Sequence, residues 1–323
     1  MPKITMREAI SQALWEEMER DERVFILGEE VGVWGGTYAV TKGFYDHFGE
    51  KRVRDTPIAE AVIVGAAIGA ALTGLRPVAE LMTINFAFAA MDHIVNEAAK
   101  LRYMFGGQFT IPLVLRAPGG GGRQLGATHS QTPDVIFAHF PGLKVVAPGT
   151  PEDAKGMLKS AIRSDDPVLF IEHATLYQVR GEVPEGEYTT ALDQARVQRP
   201  GRDVTIVTYS KMLEISLKAA DQLEKDGIQA EIVDLRCLRP LDMEPVLASF
   251  KKTNRAVIVE EGWQSFGIGA EVSARIYEQA FDYVDAPIRR VAQKEVPLPY
   301  NRTLEQMALP QVEDVIQAVK EVL

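Results

Sequence analysis

A chain of 323 residues that is 46% hydrophobic and 25% charged carries enough apolar material for one or two sizeable cores, and its polarity is too low for extensive disorder. It has no run of about 18 apolar residues, no apolar signal segment after Met1, and a single cysteine, Cys237, which excludes a disulfide framework or thiolate cage. Five scattered histidines argue against zinc, and a formal net charge of −10 argues against a nucleic-acid footprint while suiting a basic protein partner. These bounds lead us to expect a cytoplasmic α/β protein with no membrane span.

Taken in chain order, Thr5-Met6-Arg7-Glu8 is a capping-box sequence that opens a helix running to about Arg20. Val24–Leu27 reads as a strand, as does Arg52–Asp55. Thr56-Pro57 then offers an N-cap and an N1 proline to an Ala/Gly-rich helix. A helix is expected over about 89–103, a strand over Pro112–Arg116, and a glycine cluster at Gly119–Gly122. Next come a short helix at Val135–Ala138, a strand at Leu143–Ala147, a helix at Pro151–Arg163 and a strand at Val168–Glu172. Periodicity fails from about 176 to 202, where proline, glycine and charge dominate. The last third places strands at Val204–Tyr209, Ala230–Asp234, Ala256–Glu260 and Ile288–Val291 between helical stretches. Strands joined by helical crossovers imply parallel sheets covered on both faces. The expected division is a first domain over 1–185, a linker over 186–202 and a second domain over 203–323.

Three features invite a chemical reading. Gly267-Ile268-Gly269 after a strand is half of a dinucleotide fingerprint, but the loop is too long and Val272 stands at the third glycine position, so a tight turn is the better reading. No phosphate-binding G-x-x-x-x-G-K-[ST] occurs. The glycines at 119–122 precede Gly126-Ala127-Thr128-His129-Ser130-Gln131. They allow positive φ and close approach, and His129 sits at the loop's exit, before a helix that would lower its pKa. The residues alone leave open whether this is a functional site or a flexible surface loop. Glu60 begins an apolar helix. It reads equally as a carboxylate stabilised by the helix dipole and as a buried acid with a raised pKa.

Longer motifs carry a resemblance. Asp55-Thr56-Pro57-Ile58-Ala59-Glu60, Met82-Thr83-Ile84-Asn85-Phe86, Gly126 to Gln131, Pro141-Gly142-Leu143-Lys144-Val145-Val146 and Asp153-Ala154-Lys155-Gly156 appear in order. They are followed by Asp234 to Asp242, Glu260-Glu261-Gly262-Trp263 and Pro297-Leu298-Pro299-Tyr300. Together they resemble the β subunits of thiamine-diphosphate-dependent 2-oxo acid dehydrogenases, the E1 component, over essentially the whole chain. The resemblance implies two doubly wound parallel-sheet domains, a pyrimidine-binding domain and a transketolase C-terminal-like domain. It also implies an α2β2 heterotetramer with E1 α subunits, the cofactor lying at each α–β interface. The chain has no Gly-Asp-Gly and no Asn-Asn, the elements by which such enzymes hold diphosphate and Mg²⁺. The α subunit would therefore hold Mg²⁺ and the diphosphate half.

By the same resemblance Glu60 would hold a proton at the pyrimidine nitrogen N1′ of thiamine diphosphate, with Met82 and Phe86 packing on the ring. His129 would orient the 2-oxo acid and assist acylation of the lipoyl group. A K⁺ ion would meet backbone oxygens at Leu113, Ala161, Ile162, Ser164 and Asp166, although Ser164 and Asp166 depart from the expected residues. The dihydrolipoyl acyltransferase E2 would dock through its basic peripheral subunit-binding domain and present its lipoyl domain. Gly142–Pro148 and Ala161-Ile162-Arg163 look closer to pyruvate-type members than to branched-chain ones. Branched-chain or acetoin dehydrogenase β subunits, a non-catalytic scaffold and a nicotinamide dehydrogenase are the other readings. Glu60 and His129 in their motifs argue against a scaffold, and the incomplete glycine fingerprint argues against a nicotinamide enzyme.

Overall fold

The computed structural model describes residues 1–323, and the chain divides into two compact units. The first comprises residues 1–119 and 136–192, the second residues 120–135 and 193–323. The division is thus not a single cut: a stretch of 16 residues from the middle of the chain belongs with the C-terminal unit.

The first unit begins with β1 (Lys3–Thr5) and α1 (Met6–Arg20), and the expected capping box is formed. Thr5 Oγ1 accepts from the Glu8 N–H at 3.2 Å, and Glu8 Oε2 accepts from the Thr5 N–H at 2.7 Å. β2 (Val24–Gly28), α2 (Phe44–Phe48), β3 (Val53–Asp55), α3 (Glu60–Leu72) and β4 (Arg76–Glu80) follow. Then come a 3₁₀ turn (Ile84–Ala90), a π turn (His93–Ala98), α4 (Leu101–Met104) and β5 (Val114–Gly119). The unit resumes through the end of α5 (Asp134–Ala138), then β6 (Lys144–Val146), α6 (Pro151–Arg163), β7 (Val168–His173) and β8 (Arg180–Glu182). Its main strands lie in the order β6-β7-β5-β4-β2-β3 and every pairing is parallel. β2, β5 and β7 are buried along their length, the apolar runs expected of parallel strands covered on both faces. α1 packs on α6, and charge reinforces the contact: Lys155 and Lys159 reach Glu16 at 2.6 and 2.9 Å, and Arg163 reaches Glu17 at 2.5 Å.

Several local expectations change. α3 starts at Glu60, not at Thr56, because the Thr56 N–H is taken by the Gly28 carbonyl at 2.9 Å, which keeps Thr56 at the sheet edge. The helix expected over 89–103 is broken into 3₁₀, π and α turns. The π turn keeps Ile94, Val95 and Ala98 on the buried side. β4 is a strand that the sequence hides, since Arg76-Pro77 masks its short apolar run.

The second unit holds β9 (Arg196–Arg199), β10 (Val204–Thr208), α7 (Lys211–Lys225), β11 (Ala230–Asp234), β12 (Cys237–Arg239) and α8 (Glu244–Thr253). β13 (Ala256–Trp263), α9 (Ile268–Ala280), β14 (Arg289–Gln293), α10 (Arg302–Ala308) and α11 (Val312–Val322) complete it. The sheet order is β14-β13-β10-β11-β9, parallel except for the antiparallel edge strand β9. That edge strand lies inside the stretch 186–202 expected to be a linker. α7 and α11 close one face over Val204, Ile206, Ile232, Val257 and Val259. Thr205, whose side chain alternates with those, meets Ser249 and Thr253 of α8 at 2.7 Å on the other face.

Candidate active site

In the first unit, β2 lies between β3 and β4, so the chain leaves β2 to one side and returns on the other. In an open parallel sheet, ligands bind outside the carboxyl ends of the strands at such a switch point. Glu29 and Glu30 follow β2, Met82 follows β4, and Glu60 opens α3, the helix that crosses from β3 to β4. α3 packs against the 3₁₀ turn that carries Phe86.

Glu60 precedes Ile63, Val64, Ala67, Ile68 and Ala71, the buried stripe of α3, so the 3.6-residue period puts its carboxyl at the open end of that stripe. It is half-buried in the single chain, between the surface carboxylate and the buried acid that the sequence left open. The physical reason is its position as the first helical residue, with Pro57 and Ile58 before it exposed. Met82 and Phe86 are also half-buried. Ile58 and Val62, which flank Glu60, are 77% and 62% exposed, an apolar rim around an acid.

Sequence reasoning missed Glu29. It is buried, neither carboxylate oxygen has a hydrogen-bond partner, and its pKa is raised by burial and by the charges of Glu60 and Glu30. The available signal was a pair of carboxylates directly after an apolar strand. Beneath lies a second unread feature. Arg116 of β5, 1% exposed, donates from Nε and Nη2 to Glu172 at 2.7 Å each, and from Nη1 to Glu80. Tyr177 donates to Glu172. Burial opposes the charge on Arg116, but Glu172 and Glu80 outweigh it and hold the guanidinium charged; burial raises Glu80 despite Arg116. Three neighbouring parallel strands, β4, β5 and β7, are thus tied through one arginine.

His129 belongs to the second unit. It is exposed, its N–H donates to the Gly126 carbonyl at 3.2 Å in a turn, and its Nδ1 lies 2.8 Å from Thr128 Oγ1. The helix beyond it, α5, has only five residues. The structure therefore brings Glu60, Met82 and Phe86 together in one unit and places His129 in the other.

The positions matched to a K⁺ site share one corner of the first unit, where α6 ends and β5 begins. Arg76 Nη1 donates to the Ile162 and Ser164 carbonyls at 3.0 Å each, Ser164 N–H to Ala161 at 3.2 Å, and Val168 N–H to Leu113 at 2.9 Å. Each carbonyl keeps a second lone pair for a cation, but the Arg76 guanidinium already holds two of them and its charge opposes a second cation there. The Asp166 carboxylate is paired with Arg102 and Lys144. Gly267-Ile268-Gly269 has no room for a phosphate: Glu260 Oε1 accepts from the Gly269 N–H at 3.1 Å and fills the helix N-terminus.

Residues 2–180 match the family description "Transketolase, pyrimidine binding domain" and residues 193–315 "Transketolase, C-terminal domain". The chain is 50% identical over 320 residues to the "Pyruvate dehydrogenase E1 component subunit beta" of Rickettsia felis, covering 99% of this chain and 98% of that protein. The Porphyra purpurea protein of the same description is 50% identical over 323 residues, covering 100% and 98%. The mitochondrial beta-2 subunit of Oryza sativa subsp. japonica is 49% identical over 322 residues, covering 98% and 86%. A solved structure described as "Split gene transketolase, inactive beta4 tetramer" superposes with a TM-score of 0.81 at 26% identity, covering 99% of this chain and 98% of that one.

Proposed function

Because the chain belongs to the family of pyruvate dehydrogenase E1 component β subunits, we propose that, with an α subunit, it catalyses oxidative decarboxylation of pyruvate and reductive acetylation of the lipoyl group of E2. The observation that carries this reading is the pair of carboxyls, Glu60 and Glu29, at the switch point of a pyrimidine-binding domain, one of them buried with no partner in its own chain. An unsatisfied buried carboxyl calls for a donor from outside the chain, and an aminopyrimidine ring supplies donors and an acceptor.

Thiamine diphosphate, when bound, would supply a nucleophilic carbon and a positively charged thiazolium ring able to take up the electron pair released with CO2. The chain's own contribution is to hold and shelter. Glu60 shares a proton with the ring nitrogen N1′, and burial by a partner keeps that proton from water. Met82 and Phe86 give the ring an apolar bed. His129 orients the 2-oxo acid and moves a proton during lipoyl acylation, a role worth roughly 10²–10⁴-fold. Mg²⁺ and the diphosphate fall to the α subunit, since this chain lacks Gly-Asp-Gly and Asn-Asn.

The exposed Ile58 and Val62 beside Glu60 support an α subunit closing over the site in an α2β2 tetramer. The net charge of −10 supports salt-sensitive docking of the basic E2 subunit-binding domain. K⁺ at the Leu113–Asp166 corner completes the proposal. A rise in melting temperature that saturates with KCl and is absent with choline chloride supports it, and equal curves reject it. No helix is long and apolar enough to cross a membrane. A cytoplasmic location is proposed and is checked by cell fractionation.

The decisive test is decarboxylation by this chain co-expressed with a cognate α chain, thiamine diphosphate and Mg²⁺, using an artificial electron acceptor. Pyruvate is compared with 3-methyl-2-oxobutanoate. Turnover of pyruvate that collapses in Glu60→Gln is expected. Preference for the branched acid reassigns the substrate, and turnover that survives Glu60→Gln removes Glu60 from the chemistry. Tight Mg²⁺-dependent cofactor binding by the isolated chain, seen by calorimetry, would contradict the division of labour.

A further inference from the structure

The loop that carries His129 is tied down by acids of its own unit. Glu305 of α10, fully buried, accepts from the N–H of Gly122 at 3.0 Å and of Gln124 at 3.1 and 3.2 Å, and from Gln124 Nε2 at 2.7 Å. Gly122 and Gln124 both have positive φ, 88° and 56°. That curls their backbone N–H groups around the carboxylate as a nest. Glu261 of β13, 5% exposed, accepts from the Gly121 N–H at 2.7 Å and from Thr132 Oγ1 at 3.1 Å. The Tyr209 hydroxyl is hydrogen-bonded to Asp134 just beyond. A Cβ on Gly121 would sit 2.7 Å from Leu298 and 2.9 Å from Leu309, and one on Gly126 would sit 2.6 Å from the Tyr300 ring. Acids from β13 and α10 therefore grip the loop before and after His129, and aromatic and aliphatic groups press it from the side.

We propose that Glu305 and Glu261 are positioning residues. By binding the backbone N–H groups of the glycine loop, they fix where the His129 imidazole stands for lipoyl acylation. The inference rests on the reading of His129 given above. The chemistry favours carboxylates for this work. A glycine-rich loop of positive φ has high conformational entropy, and charge-assisted hydrogen bonds to several N–H groups at once oppose it more strongly than neutral ones. Misplacement of an acting group by about 1 Å costs on the order of 100-fold, so loosening the clamp should be felt in turnover before it is felt in folding.

The experiment uses the assembled α2β2 enzyme carrying Glu305→Gln, His129→Ala or both, with Gln124→Ala as a milder variant at a half-buried side chain. Hydrogen exchange of the peptide spanning Gly120–Thr132 is read beside the rate of lipoyl-domain acylation. In Glu305→Gln, faster exchange of that peptide and acylation slowed about 10- to 100-fold are expected. Gln124→Ala should move both in the same direction by less. On the His129→Ala background Glu305→Gln should cost nothing further, because its effect passes through the histidine. Unchanged exchange in Glu305→Gln overturns the clamp. A Glu305→Gln loss that is equally large with and without His129 overturns the positioning role. Should Glu305→Gln not assemble, the same three readings are taken from Gln124→Ala. His129→Ala acylating at the wild-type rate is a different failure: it defeats the role given to His129 itself.

Discussion

Replacing Arg116 by Met tests how the carboxyl ends of the first sheet are held together. Arg116 is 1% exposed and serves Glu172, 1% exposed, and Glu80, 5% exposed. Methionine keeps much of the bulk and none of the charge, so both acids are left buried without a cation. Breaking a buried ion pair from one side costs about 3–5 kcal/mol. With two acids orphaned and only the Tyr177 hydroxyl left to one of them, the upper part of that range, about 4–5 kcal/mol, is expected. At roughly 2–4 °C per kcal/mol for units of this size, the melting temperature should fall by roughly 10 °C or more. The sign with pH is fixed. Burial already raises Glu80, and loss of Arg116 raises it further. The folded variant then retains protons that the unfolded chain has released, so its deficit grows as pH rises from about 5 to 8. Calorimetric melting at the two ends of that range measures it, with Glu80→Gln and Glu172→Gln added to the variant as the rescue. A loss under about 1 kcal/mol, or one with no pH dependence, would refute the reasoning.

Other predictions are independent of it. Burial raises Glu260 from 4.5 to about 7, against the N–H groups of Gly269 and Ile268. The folded chain then holds a proton the unfolded one has lost, and stability should decline between about pH 4.5 and 7. Glu260→Gln should remove that slope, an effect of at most about 3 kcal/mol in urea titrations, and an unaltered slope rejects it. Cys237 is fully buried with its thiol pushed up to about 12 by burial, so iodoacetamide at pH 8 should leave it unmodified until urea unfolds the chain; mass spectrometry shows whether the native protein is alkylated. Gly142 has φ of 92°, and an added Cβ would stand 1.9 Å from the Ala99 carbonyl oxygen. Gly142→Ala should therefore cost several kcal/mol, and a melting temperature within about 2 °C of wild type would contradict the placement.

What the sequence disclosed follows the physics of burial. Central strands such as Val168–His173 and Val204–Thr208 announce themselves because a parallel strand covered on both faces must be apolar throughout. α1 announces itself through the capping box at Thr5, and the structure caps α6 in the same manner with Thr150. β9, Arg-Val-Gln-Arg, is an edge strand and so lacks that pressure; its polarity made it look like linker. Glu60 was legible as an acid at a helix start, but its half-exposure was not, since exposure there depends on tertiary cover. Glu29 left a local trace, a pair of acids directly after an apolar strand, but the Arg116 cluster and the acids around residues 120–132 were illegible for a common reason. Each is defined by groups far apart in the chain, Glu305 lying 183 residues from Gly122, and no local pattern encodes such a meeting.

The loop's allegiance also governs how the protein can be made or cut. Residues 120–135 fold with a unit whose remaining parts are translated only after residue 192. During synthesis this segment emerges well before β13 and α10, and its glycines stay ungripped until both have been made. A gene divided at the apparent boundary near 190 would yield an N-terminal fragment carrying His129 without either acid that holds its loop, and a C-terminal fragment with two buried carboxylates and nothing to bind. Separate expression of the halves is therefore expected to fail at this segment, and a chimera exchanging C-terminal units between relatives must carry residues 120–135 with the part that grips them.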